Sequence, residues 1–112
     1  MPMTDIEKRR AEIALRNYCA QRLRPEIRHE LESVYRLEKQ FAYISERRPD
    51  WQDATIRRDH DVAKFRFDMT SRRWALYWRD RNLKWHRFDK YAATTDIAEL
   101  LPVVDAEPIF YG

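Results

Sequence analysis

The sequence predicts an α+β domain: an N-terminal helix, a five-stranded antiparallel β-sheet made of a hairpin plus a three-strand meander, and a short C-terminal helix. Three observations predict it. A helix start signal opens the chain at Thr4. The hydrophobic period changes to two near Ile27, and a second helix start signal follows at Asp96.

Thr4-Asp5-Ile6-Glu7 has the form of a capping box, in which Thr4 and Glu7 satisfy free backbone N–H groups. A helix over about 5–22 follows. Ala11, Leu15 and Tyr18 form its apolar stripe, with Ile6, Ile13 and Cys19 or Ala20 adjoining, and it ends before Pro25. From Ile27, the residues Ile27, His29, Leu31, Ser33, Tyr35 and Leu37 alternate with Arg28, Glu30, Glu32 and Arg36, the pattern of a half-buried strand. Glu38-Lys39-Gln40 turns the chain into a second strand over Phe41 to Glu46, which Pro49 breaks. Residues 50–60 lack a period and read as a surface loop anchored by Trp51.

A three-strand meander comes next. Ala63, Phe65, Phe67 and Met69 alternate with Lys64, Arg66 and Asp68; Trp74, Leu76 and Trp78 with Ala75, Tyr77 and Arg79; Leu83 and Trp85 with Lys84 and His86. Thr70 to Arg73 and Asp80 to Asn82 are the polar connections, turn-capable without glycine. Asp96 and Glu99 start a short helix, Ile97 to Leu101, which Pro102 limits or kinks, and the end from Ile109 to Tyr111 is too apolar to float free. The sheet then spans about 27–88 and the C-terminal helix and tail about 96–112, all within one domain, 1–112.

Composition excludes whole function classes. The only glycine is Gly112, so no P-loop, Rossmann dinucleotide loop or G-x-S-x-G elbow exists in this chain. The only cysteine is Cys19, which rules out an intrachain disulfide and a cysteine metal cluster; its expected role is helix packing. No apolar run is long enough to span a bilayer, and the first residues lack the apolar core of a signal peptide, so a cytoplasmic location without membrane contact is the expectation. No cofactor is expected. Net charge is +3, unevenly spread: residues 61–90 hold nine Lys/Arg against four Asp/Glu, and 91–112 hold four acids with no Lys or Arg. The basic middle therefore either meets an anionic partner or is covered by the acidic tail.

The stretch Trp74-Ala75-Leu76-Tyr77-Trp78-Arg79-Asp80-Arg81-Asn82-Leu83-Lys84-Trp85-His86-Arg87-Phe88-Asp89 resembles the bacterial family known as domain of unknown function 3024. Further similar segments flank it in the same order: Arg24 to Glu30, Glu46 to Trp51, Val62 to Phe67, Asp96 to Leu101 and Val104 to Gly112. The resemblance covers roughly residues 24–112. It implies no activity and transfers no catalytic residue.

Function must then be read from the residues themselves. On the polar sheet face, Lys64, Arg66, Tyr77, Arg79, Lys84 and His86 combine phosphate-binding cations with rings that stack bases, the composition of a nucleic-acid surface; equally, it is the composition of an ordinary wet sheet face. Trp51 beside Arg47-Arg48-Pro49, with Phe110 and Tyr111 in the tail, are the residue types of a protein or homo-oligomer interface, or else pack at home. Glu30, Glu46 and Arg48 loosely echo metal-dependent nucleases, although a Lys belongs where Arg48 stands. No nucleophile, base and stabiliser share a recognisable spacing. The preferred reading is a non-enzymatic binding module acting through protein contacts, with nucleic-acid binding and a nuclease-like enzyme as the alternatives.

Overall fold

A computed structural model describes residues 3–22 and 32–111. The expected strand start at Ile27, and with it Arg28, His29 and Glu30, lies outside the described residues. Helix α1 spans Asp5–Gln21, and its capping box is formed as expected: the Thr4 amide donates to Glu7 Oε1 at 2.8 Å and the Glu7 amide to Thr4 Oγ1 at 3.1 Å. Ala11, Leu15, Tyr18 and Cys19 are its buried side. Ile6 and Ile13, assigned to the margin of that stripe, are instead 68% and 37% exposed.

Five strands follow: β1 Glu32–Glu38, β2 Phe41–Pro49, β3 Arg57–Asp68, β4 Arg73–Arg79 and β5 Trp85–Arg87. Each pairs antiparallel with the next, so the sheet order equals the chain order and β1 and β5 are its edges. The sheet is longer than the periodicity indicated. β2 continues to Pro49 and β3 begins at Arg57, making an arm from residues that had read as a break and a loop; only Asp50 to Ile56 connect the strands. Cross-strand charge holds this arm, with Arg47 on Asp59 at 2.8 Å and Arg58 on Asp50 at 2.9 Å. Because charged residues occupy both of its faces, no hydrophobic alternation marks it. Trp51 does not anchor the loop, since its side chain is 88% exposed.

Within the pairing of β2 and β3 the register shifts: Ile44 lies opposite Ala63 but Ser45 opposite Asp61. Val62 is the extra residue of a β-bulge, and it is buried. The apolar face carries Ile44, Ala63, Phe65, Phe67, Trp74 and Leu76, all buried under α1 and the C-terminal segment.

That segment begins with a single 3-10 turn, Ile97–Glu99, whose Ala98 amide donates to Asp96 Oδ1 at 3.0 Å. Helix α2, Leu101–Ala106, and helix α3, Pro108–Tyr111, complete the chain. Pro102 therefore does not end a helix from 97; it sits in the first turn of α2, where its missing N–H has no partner to lose. The hydroxyl of Tyr18 donates to Asp105 at 2.8 Å, and Arg22 pairs with the same carboxylate, which clamps α1 to α2. Phe110 is buried against Phe88 with ring centroids 5.3 Å apart. Cys19 is buried, and burial pushes its thiol up to about 11, which suits packing and opposes nucleophilic chemistry.

With no glycine available, the turns place Lys39, Arg72 and Leu83 in the left-handed region at φ of 54°, 58° and 65°. Leu83 is 66% exposed, so its substitution removes almost no packing. Leu83→Gly is expected to stabilise the fold by about 0.5–1 kcal/mol, and Leu83→Val to destabilise it, because a β-branched residue tolerates positive φ worst. Urea unfolding midpoints of the two variants check the opposite signs.

Candidate binding face of the sheet

All the described helices pack against the apolar side of the sheet, so among the described residues the other side is bounded by the sheet's own side chains. Register determines what stands there. The two-residue turn Lys39-Gln40 sets Glu38 opposite Phe41, which puts Arg36 opposite Tyr43. Continuing across the sheet, Tyr43 faces Lys64, Lys64 faces Tyr77 and Tyr77 faces Arg87. Alternating cations and rings thus form one row over all five strands. A parallel row carries Ser45, Asp61, Arg79 and Trp85.

Lys64 lies at the centre. Its Nζ is 4.8 Å from the ring centre of Phe41, 5.6 Å from Tyr77 and 5.9 Å from Trp85. Arg79 sits 5.6 Å over Trp85, whose ring is 6.2 Å from Tyr43. Among the described residues, Lys64, Arg66 and Arg79 make no ion pair with a carboxylate. The β1 side differs. Arg36 binds Asp61 through two bonds of 2.9 and 3.2 Å, reaches Glu38 at 2.9 Å, and lies 4.0 Å over Tyr43. Ser45 donates to the same Asp61 at 2.6 Å.

These contacts shift the ionisation of the group. Burial raises the Asp61 carboxyl, but the hydrogen bonds from Arg36 and Ser45 outweigh it and hold the carboxyl below its ordinary 3.8. Asp61, led by its hydrogen bond, drives the Arg36 guanidinium further up. Burial, reinforced by Glu38, raises the Tyr43 phenol.

Of the residues singled out from the sequence, Lys64, Arg66, Tyr77 and Arg79 stand on this face. Lys84 lies exposed in the turn before β5. His86 is on the opposite side: it pairs with Trp78, stacks on that ring at 4.7 Å, and its Nε2 is 2.7 Å from Asp80. Phe88, which continues the alternation of Lys84 and His86, is in the core. The residue after Asn82 explains both. Leu83 belongs to the turn rather than to β5, and its left-handed backbone resets the alternation so that Trp85 and Arg87 face the row. Phe41, Tyr43, Trp85 and Arg87 were missed from the sequence; the short turn at Lys39 was the available signal for the first two.

The acidic tail does not cover this surface. Asp105 is held by Tyr18 and Arg22, and Glu107 lies 3.5 Å from Lys90, on the helical side. Among the suggested interface residues, Trp51 is exposed at the arm tip, whereas Phe110 is 7% exposed and packed; the side chain of Tyr111 lies outside the described residues. Glu46 is buried and bonded by Arg48 at 2.5 Å, Glu30 is outside the described residues, and His60 stands exposed on the arm. No group of three or more His, Cys, Asp or Glu able to hold a metal occurs among the described residues, so the nuclease-like alternative gains no support from them. No described helix is long and apolar enough to cross a membrane.

Fold and face together define an open-faced α+β sheet domain. The chain belongs to the DUF3024 family, a domain of unknown function, whose family model matches residues 3–112 and so includes α1 as well as the segments where the resemblance was visible. Neither a curated protein nor a solved structure matches the chain.

The Asp61 contacts have a pH signature. A carboxyl held below its unfolded value stabilises the fold above that value, and the contribution disappears as pH falls through the folded value, here below the ordinary 3.8. Asp61→Asn is expected to lower stability at pH 7 by about 1–3 kcal/mol, the range for hydrogen bonds to charged groups. The difference should start to shrink below about pH 4, the unfolded value, and close only as pH falls through the lower folded value. Urea melts across pH 3 to 7 measure this, and a constant difference across the range would contradict it.

Proposed function

We propose that this chain is a non-enzymatic binding module whose working surface is the polar sheet face, and that the face takes single-stranded nucleic acid. The observation that carries the reading is Lys64, which stands among Phe41, Tyr77 and Trp85 without a carboxylate partner among the described residues. Phosphates need unneutralised cations, and unpaired bases need rings presented on a surface; Lys64, Arg66 and Arg79 supply the first, and Tyr43, Tyr77 and Trp85 the second. Single strands fit better than duplex because the stacking surface is useful only to bases free of a partner. Protein contact is the second reading, and the solvent-exposed indole of Trp51 at the arm tip is what favours it.

Fluorescence anisotropy with labelled single-stranded and duplex oligonucleotides at low salt tests the first reading. Micromolar binding to single strands that weakens with salt is expected, with tighter binding than to duplex. Trp85→Ala should weaken it about tenfold or more, the loss typical of one stacked base, and Lys64→Ala should also reduce the salt slope. Absence of binding at micromolar protein, or affinity indifferent to both variants, removes the reading.

A further inference from the structure

We propose that the tip of the β2–β3 arm, led by Trp51, docks into the cleft between α1 and the 3-10 turn of a second copy of this chain. The inference rests on the second reading above, protein contact through the arm, and names its partner. The arm tip is an apolar knob on a fixed base. The Asp50 amide donates to the Ile56 carbonyl at 2.7 Å, closing the loop so that Trp51 and Ile56, both exposed, share one end of the molecule. Asp50 is further tied to Arg58, and Asp53 to Thr55.

The receiving site is at the other end. A cleft of about 620 Å³ opens between α1 and Ala98, with Ile13 and Ala14 on one wall and Phe67 and Trp74 at its floor. Its size falls in the range of pockets that enclose a compact apolar group. Arg10 lies on its rim without an ion pair among the described residues. At the arm tip the Asp53 carboxylate accepts from the Thr55 hydroxyl and amide, which lower its carboxyl and keep it ionised at neutral pH. Of the other charges lining the cleft, Glu7 pairs with Arg72 and Asp96 accepts from the Ala98 amide, so the indole meets the apolar floor and Asp53 meets Arg10.

Distance excludes docking within one molecule. The arm joins the sheet at the start of β3 and the cleft floor lies at its end; the ten residues from Arg57 to Phe67 separate them by roughly 33 Å of extended strand. The arm cannot fold back along its own strand. Only another chain can bring Trp51 to the cleft, and the contact joins opposite ends of two copies. A contact of this size is small, so weak and reversible association is expected.

Sedimentation velocity across a range from about 10 to 500 µM tests it, since small interfaces sit at the weak end of affinity. The full chain should shift reversibly from monomer to larger species. Trp51→Ser, which deletes the knob, and Ile13→Arg or Ala98→Arg, which obstruct the cleft from opposite walls, should each remain monomeric while circular dichroism shows an unchanged fold. Mixing Trp51→Ser with a cleft variant should restore association, because one supplies the intact cleft and the other the intact arm. Monomer at every concentration, or association unaffected by these variants, overturns the proposal. Crosslinking in native extract separates it from the broader reading: a monomer that loses a crosslink to another protein on Trp51→Ser overturns the second copy alone, and one whose crosslinks ignore Trp51→Ser overturns both.

Discussion

The pairing of β2 with β3 holds the longest ladder in the sheet, and the one-residue bulge inside it determines the character of both faces. Without the extra residue, Val62 would stand opposite Ser45 on the polar face, and Asp61 would turn to the other side beside Glu46. Both outcomes cost stability, one by exposing an aliphatic side chain and the other by placing two acids together next to a buried position. The bulge sends Val62 inward and gives Asp61 to Ser45 and Arg36. From that point the two halves of β3 serve different structures. Residues after the bulge belong to the five-stranded sheet and its core, and those before it form the charged arm.

Charge is divided across the sheet face rather than spread over it. On the β1 side, Arg36 is answered by Asp61 and Glu38, and its guanidinium lies on Tyr43, so that corner is already satisfied. Toward β4 and β5, Lys64 and Arg79 rest on aromatic rings instead. A cation over a ring gains about 0.5–1 kcal/mol at an exposed position but keeps most of its field, whereas a carboxylate cancels it. The positive charge therefore remains available to a ligand at Lys64 and, less the pull of Asp61, at Arg79, and not at Arg36. An ordinary wet face, with its charges answered across strands, describes the β1 half well and the other half poorly.

How much was legible in the sequence follows from how each element is encoded. The capping box of α1, the meander and the core of β3 and β4 rest on local patterns, and Thr4, Phe65 and Leu76 take the positions those patterns assign. The arm does not: Arg47, Arg48, Arg57, Arg58 and Asp59 lie on both of its faces, so its strands are held by ion pairs that become visible only once the register is known. Pro49 at the end of β2 added a false break, since a proline is tolerated at a strand terminus. Within α1 the stripe was read too wide, because nothing local distinguishes an apolar side chain under the sheet from Ile13 at the edge of an open cleft.

The candidate face was misread at one point, and the cause is the lack of glycine. In a chain with glycine at its turns, the turn residue announces where the strand alternation restarts. Here Asp80 does that work through its side chain, accepting from the amides of Asn82 and Lys84, while Leu83 adopts the left-handed backbone that glycine would ordinarily take. His86 Nε2 at 2.7 Å from the other oxygen of Asp80 fastens β5 to the same turn. Counting alternation straight through Leu83 therefore assigns His86 to the polar face and Trp85 to the core, the reverse of where they stand. The placement of the largest ring beside Lys64 thus depends on an aspartate outside both rows, and a change at Asp80 would reach the face through the register of β5 rather than through any contact with a ligand.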